Sequence, residues 1–225
     1  MKLGIVIAME SEAQPLLNAL KAKPQGTVNG TEFYSGKYRN VEYTVAVSGE
    51  GKVNAAVSAG AVASVIKPDV MMNFGIAGGT GHIVKGGKAV VGDVWEHDFD
   101  LTAAGYKPGK FRGRTDDALS EALCAAIGGE RGTVATGDVF VADPKRVEYI
   151  SKTFRAVVCE MECAAIFAVA KAYDIPFAAV KYISDYADSS AKESMDENVP
   201  TLSEIIAKDI IRAMDLLSEG TWSKR

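Results

Sequence analysis

Few residues in this chain can staple, ligate or anchor it. Three cysteines, Cys124, Cys159 and Cys163, are an odd number with no CxxC pair in 225 residues. That excludes a disulfide framework and reads as reduced thiols in a cytosolic protein. Only two histidines are present, His82 and His97, and no Cys/His pair stands at ligand spacing, which speaks against a zinc site. No apolar stretch reaches membrane-spanning length. No Lys/Arg tract is long enough for a nucleic-acid footprint, and the net charge is −4. Internal repeats, low-complexity segments and linkers are absent. What remains is a chain that is 48% hydrophobic with ordinary charge, enough to bury a core as one α/β domain over 1–219, with a frayed tail expected at 220–225. The opening MKLGIVIAMESEA reads as a first core strand rather than a signal peptide, because charge follows the short apolar run at once.

Short β-branched runs alternate with alanine-rich stretches of helical pattern. Strands are expected at 3–8, 70–74, 88–96, 132–136, 156–160 and 177–184, with a hairpin over 32–38 and 41–48 turning at Arg39-Asn40. Helices are expected at 10–21, 52–66, 116–127, 144–151, 161–173 and 205–217. Apolar strands interleaved with helices predict a central sheet covered by helices on both faces. Such sheets bind ligands at the carboxyl ends of their strands.

Four of those strand ends carry carboxylates: Glu10-Ser11-Glu12, Gly137-Asp138, Glu160-Met161-Glu162 and Ser184-Asp185. The fifth carries Gly75-Ile76-Ala77-Gly78-Gly79. Each has an ordinary structural reading too. Glu10, Ser11 and Glu12 suit a helix cap and its dipole. The glycine stretch suits a turn, since it lacks the full phosphate-loop patterns. Gly49-Glu50-Gly51-Lys52 reads as a helix entry, and Glu50 would repel phosphate. Glu160 and Glu162 suit a first helical turn, Ser184-Asp185 a turn, and Phe140, Cys159 and Cys163 a core. Met9 and Met161 suit packing, and His97 with Asp98 a structural pair. One by one these features are unremarkable; their coincidence at one sheet edge points to a site.

At these residues the sequence resembles the 5′-methylthioadenosine/S-adenosylhomocysteine nucleosidases of the purine and uridine phosphorylase superfamily. The likeness spans nearly the whole chain: GIVIAMESE at 4–12, SGEGKVNAA at 48–56, NFGIAGG at 73–79, HDFDLTAAGY at 97–106, TGDVF at 136–140, EMECAA at 160–165 and ISDYAD at 183–188. The resemblance implies a nucleoside phosphorylase-like fold with a mixed central sheet, and hydrolysis of the N-glycosidic bond of adenine nucleosides. Bond breaking leaves positive charge on the ribose and negative charge on the purine, so N7 must be protonated. By resemblance Asp185 is that acid, oriented by Ser184, and Glu12 is the base for water. Glu162 is then expected to accept the ribose hydroxyls in its charged form, with Met161 on the sugar and Glu160 beside it in a role that is structural or substrate-binding. Phe140 is expected to stack on adenine, the Val141 backbone to read the base edge, and Met9, Ile76, Ala77 and Gly78 to line the pocket. A homodimer is implied, with a partner segment near 99–113 closing the 5′ pocket. No metal or organic cofactor is implied, and no nucleic-acid or membrane partner.

Three positions depart from the family pattern. Ile76 stands where a Ser or Thr is frequent, Lys181 where an Arg is typical, and Asn198 where a Phe lines the 5′-alkylthio pocket. The first two are expected near the water and ribose, and the third at the 5′ substituent. Three rivals stand beside the nucleosidase reading: a phosphate-dependent purine nucleoside phosphorylase, a futalosine or aminofutalosine hydrolase, and a nucleoside-binding protein without catalysis. Glu12 at the nucleophile position disfavours phosphate.

Overall fold

The computed structural model describes residues 1–222. The chain opens with β1 (Lys2–Ile7), whose apolar residues have no polar interruption. Leu3, Ile5 and Ile7 point into one core and Val6 into another, the alternation of a strand buried on both faces. After α1 (Glu10–Leu20) come β2 (Lys23–Val28), β3 (Thr31–Tyr38) and β4 (Val41–Val47). These three form an antiparallel meander, and β4 returns parallel to β1. α2 (Lys52–Ala61) runs on as a π-helical turn (Val62–Ile66) into β5 (Val70–Gly79).

The second half contributes β6 (Lys88–Glu96), β7 (Lys110–Arg114), α3 (Asp117–Ile127), β8 (Glu130–Thr136) and α4 (Pro144–Phe154). It ends with β9 (Ala156–Glu160), α5 (Cys163–Ala172), β10 (Phe177–Asp185) and α6 (Ala191–Ser218). β5 is the branch point of the sheet. It pairs in parallel with β1 and β10, and its tip pairs antiparallel with β9 through Gly78 and Gly79. β9, β8, β6 and β10 complete a circuit back to β5, so half of the mixed sheet closes on itself while β1, β4, β3 and β2 stay open. Closure needs backbone contact at that tip. A Cβ on Gly78 would lie 2.9 Å from Ala187 Cβ, and one on Gly79 would lie 2.8 Å from Ile183 Cγ2. The 75–79 run is therefore strand, not the turn that its composition suggests.

Helices α1, α3 and α6 cover one face of the sheet, and α2 with α5 cover the other. No described helix is long and apolar enough to cross a membrane. α6 is held to the sheet by Asp209, which is fully buried and takes Lys88 Nζ of β6, the Tyr182 hydroxyl of β10 and Arg212. Buried carboxylates are tolerated only when satisfied in this way.

Several expectations change. β2, exposed throughout and containing Pro24 and Gly26, is an edge strand without an apolar alternation to betray it. β7 was equally silent in the sequence. α6 begins at Ala191, not at 205, and continues through Pro200. Its first turns are polar, so hydrophobic periodicity starts only where the helix meets the core. Of the tail at 220–225, Trp222 is not frayed: it is buried, and its indole N–H donates to Asp116 at 3.3 Å. Residues 223–225 lie outside the described residues.

Candidate active site

A cavity of about 390 Å³ opens where β1, β5, β9 and β10 end. Its wall brings together Met9, Glu12, Ile76, Ala77, Gly78, Phe140, Val141, Glu160, Met161, Glu162, Ser184 and Asp185. These come from five separate stretches of chain. A larger, more open groove of about 720 Å³ lies elsewhere, around Arg114, Lys171 and Trp222, without such a gathering of buried carboxylates.

Glu12 is buried at 2% exposure and serves two elements at once. Its Oε2 accepts the Met9 N–H at 3.0 Å, closing the first turn of α1. Its Oε1 accepts the Ile76 N–H of β5 at 2.8 Å. The capping role and a place in the site thus coexist in one side chain. Burial pushes its pKa up, against the pull of those two N–H groups and of Lys181. Gly75 makes this approach possible, since a Cβ there would stand 3.1 Å from Glu12 Oε1.

Asp185 ends β10. It accepts the Ser184 hydroxyl at 2.6 Å and the Ala187 N–H at 2.7 Å. Burial raises its pKa, the two hydrogen bonds oppose the rise, and the Asp188 charge adds to it. Gly78 leaves room beside it, because a Cβ would come within 3.3 Å of Asp185 Oδ1.

Glu160 and Glu162 answer the same burial differently. Glu160 takes Lys181 Nζ at 2.7 Å, the Thr136 hydroxyl at 2.5 Å and the Cys163 N–H at 2.9 Å. Burial opposes its ionisation, but Lys181 and these donors hold its pKa below the ordinary value. Its carboxylate is spent on the entry to α5. Among the described residues Glu162 accepts one hydrogen bond, from the Gly51 N–H at 2.7 Å. Burial and the neighbouring Glu160 charge push it up to about 8. Its protonated form is thus favoured near neutral pH, and the charged form expected from the sequence is the one that holds the ribose.

Two expected lining residues stand off the wall. Lys181 is 2% exposed and locked beneath the cavity on Glu160. Burial disfavours its charge, but Glu160 more than compensates and raises its pKa. Asn198 turns its amide onto the Ser184 carbonyl at 2.9 Å and the Ser194 carbonyl at 2.6 Å. Met195 and Lys192, one turn or more earlier on α6, line the cavity instead. Sequence reasoning missed both, together with Glu50, because the start of α6 was not recognised and Glu50 read as a helix entry. Nor do His97 and Asp98 pair: Asp98 is taken by Lys52, and His97 Nε2 is buried without a hydrogen-bond partner.

That Lys52 contact ties three segments together. Lys52 Nζ reaches Asp98 at 2.7 Å, Asp98 accepts the Asp138 N–H at 2.8 Å, and Asp138 accepts the Lys52 N–H at 2.7 Å. The loop carrying Phe140 and Val141 is thereby clamped to the start of α2, next to the Gly51–Glu162 bond. Lys52→Met is expected to raise KM roughly tenfold with a smaller change in kcat, and Lys52→Arg to restore most of it. Steady-state kinetics of the two variants check this; unchanged KM in Lys52→Met would remove the clamp from consideration.

Among the described residues no three His, Cys, Asp or Glu side chains group as metal ligands.

Comparison with known proteins agrees with this geometry. A family profile described as the phosphorylase superfamily matches residues 2–216. The 5′-methylthioadenosine/S-adenosylhomocysteine nucleosidase of Bacillus velezensis is 37% identical over 212 residues, covering 88% of this chain and 91% of that protein. The enzyme of the same name from Lysinibacillus sphaericus is 33% identical and covers 95% and 99%. Among solved structures, the Helicobacter pylori nucleosidase with butyl-thio-DADMe-Immucillin-A superimposes with a TM-score of 0.92 at 27% identity, over 96% and 98% of the two chains. A futalosine hydrolase mutant from Helicobacter pylori gives 0.91 at 26% identity, over 96% and 99%. With the matched profile spanning almost the entire chain and these relatives aligned along it, the protein belongs to the phosphorylase superfamily and, within it, to the 5′-methylthioadenosine/S-adenosylhomocysteine nucleosidase family.

Proposed function

We propose that the protein hydrolyses the N-glycosidic bond of adenine nucleosides, 5′-methylthioadenosine and S-adenosylhomocysteine among them, to adenine and a 5-substituted ribose. One observation carries the choice of water over phosphate. Among the described residues the cavity wall holds the carboxylates of Glu12, Glu50, Glu160, Glu162 and Asp185, and its cation, Lys192, is already paired with Asp196. The wall therefore offers a phosphate dianion no unpaired cation, and each of these carboxyls that is ionised would repel it.

In this reading Asp185 donates a proton to purine N7 as the bond breaks. Its burial, which favours the protonated form, supports the assignment. Ser184 and the Ala187 N–H fix its orientation. Glu12, held by two backbone N–H groups and near Lys181, accepts a proton from the attacking water. Phe140 covers the base, and Val141, whose side chain is buried, offers its backbone to the base edge. Met9 and Met161 pack on the sugar side.

Glu162 accepts the ribose hydroxyls, and it does so best when ionised. Its raised pKa sets the sign of a pH effect. Below about 8 the carboxyl carries a proton and must lose it on binding; above that value it is ready to accept. KM is therefore expected to fall as pH rises through this range and then level off. A KM profile against pH checks this, with Glu162→Gln expected to flatten it.

The direct test of the function is chromatography of base and sugar after incubation with methylthioadenosine or S-adenosylhomocysteine, with and without phosphate. Adenine with free thio-ribose in the absence of phosphate is the expected result. Release only with phosphate, as ribose-1-phosphate, would mean a phosphorylase.

The assembly we propose is a homodimer. Leu101, Tyr106 and Phe111 are exposed at 45%, 67% and 47% on the 99–113 segment, and a second copy would cover them. Sedimentation at micromolar concentration is expected to give the dimer mass. Three free cysteines suit a reducing cytoplasm, and the substrates suit methionine salvage and purine metabolism.

A further inference from the structure

Besides Glu160, which is held at the entry to α5, one carboxylate on the cavity wall has no part in this reaction. Glu50 lines the cavity yet is exposed, whereas Glu12, Glu162 and Asp185 lie deeper at 2%, 7% and 3% exposure. It marks the mouth. Its backbone is pinned on both sides: the Gly49 N–H donates to the Ala8 carbonyl at 2.9 Å, and the Gly51 N–H donates to Glu162 at 2.7 Å. Gly49 and Gly51 have φ of 76° and 94°, which glycine adopts freely and other residues do not. The turn is thus built to hold position 50 between the end of β1 and Glu162. Asn54 takes the Glu50 backbone carbonyl at 2.9 Å, and no described side chain engages the Glu50 carboxylate.

The neighbours of Glu50 are the carboxylates on the water and ribose side. Its charge bears on Glu12, and the residue after it holds Glu162. If Glu162 takes the 2′ and 3′ hydroxyls inside, the 5′ carbon leads toward the open mouth. Lys192, the cation on the wall, is answered by Asp196 one turn along α6. A substituent reaching the mouth therefore meets an unengaged carboxylate and, among the described residues of the wall, no unpaired cation.

We infer that Glu50 selects among nucleosides by the net charge of the 5′ substituent, favouring a cationic amine over a neutral group, and a neutral or zwitterionic group such as the homocysteine chain over an anionic one. The inference rests on the nucleoside reading of the cavity.

The test uses three 5′-thioadenosines of equal chain length, with 2-aminoethyl, propyl and carboxymethyl groups on sulfur. kcat/KM is measured for each with the wild-type protein and Glu50→Gln, at low and high salt. The wild-type protein is expected to rank amine over propyl over carboxylate, with about two- to fivefold between neighbours, an exposed charge pair being worth no more. Glu50→Gln is expected to compress the ranking, and added salt to do the same to the wild-type protein. Equal rates for the three compounds, or a ranking unchanged in Glu50→Gln, would overturn the role of Glu50 while leaving adenine release intact. No release from any of the three would overturn the nucleoside reading, and the inference with it.

Discussion

Asp185→Asn is expected to bind substrate with nearly unchanged affinity and to lose roughly 10²–10⁴ of its turnover. The amide is the size of the acid. Its oxygen still accepts the Ala187 N–H, and Ser184 Oγ, now 2.6 Å from the carboxyl, can reverse its role and accept from the new NH₂. An NH₂ group can also donate a hydrogen bond to N7. It cannot hand over the proton, so the purine leaves as an unstabilised anion. Because the acid must be protonated to act, the alkaline fall of the wild-type kcat is expected to disappear in the variant. Calorimetric binding of a non-hydrolysable thioadenosine analogue, alongside single-turnover adenine release, separates binding from chemistry. Turnover within tenfold of the wild-type protein would remove Asp185 as the acid.

Glu12→Gln is expected to cost a similar factor and to destabilise the fold as well. Both Glu12 oxygens are acceptors for backbone N–H groups, at 3.0 Å from Met9 and 2.8 Å from Ile76. Glutamine keeps one acceptor and turns a donor toward the other N–H. A buried donor left facing a donor costs about 1–3 kcal/mol. The carboxylate that takes the proton from water is lost at the same time. The two effects are separable. Thermal unfolding reports the first, and kcat measured well below the melting transition reports the second. Affinity for free adenine should hardly change, because in this reading the base rests on Phe140 and Asp185 rather than on Glu12. A folded Glu12→Gln protein with undiminished turnover would remove Glu12 as the base.

The strand ends were legible in advance because they depend on local pattern. Apolar runs stop where the backbone must turn, and the acids after 8, 136, 160 and 183 stand out against them. The far parts of the site were less legible. Met195 sits on the wall because α6 starts fourteen residues before the helix expected at 205, on turns whose Lys192 and Glu193 are exposed. Asn198, at a position that suggests the 5′ pocket, spends its amide on backbone carbonyls. The glycines at 78 and 79 look like a turn in sequence and are the tip of a strand in space, since the side chains that leave them no room, Ala187 and Ile183, lie about a hundred residues away.

The sequence by itself determined which side chains could reach one edge of the sheet, through the alternation of buried strands with helices and through the residues that end each strand. Tertiary structure decided what state those side chains are in. Glu160 and Glu162 are two residues apart and equally buried, yet the first is held ionised by Lys181 from β10 and Thr136 from β8, while the second, left with one N–H from the start of α2, is pushed up to about 8. Desolvation and charge act through space, and the groups that supply them are brought together only when distant strands pair.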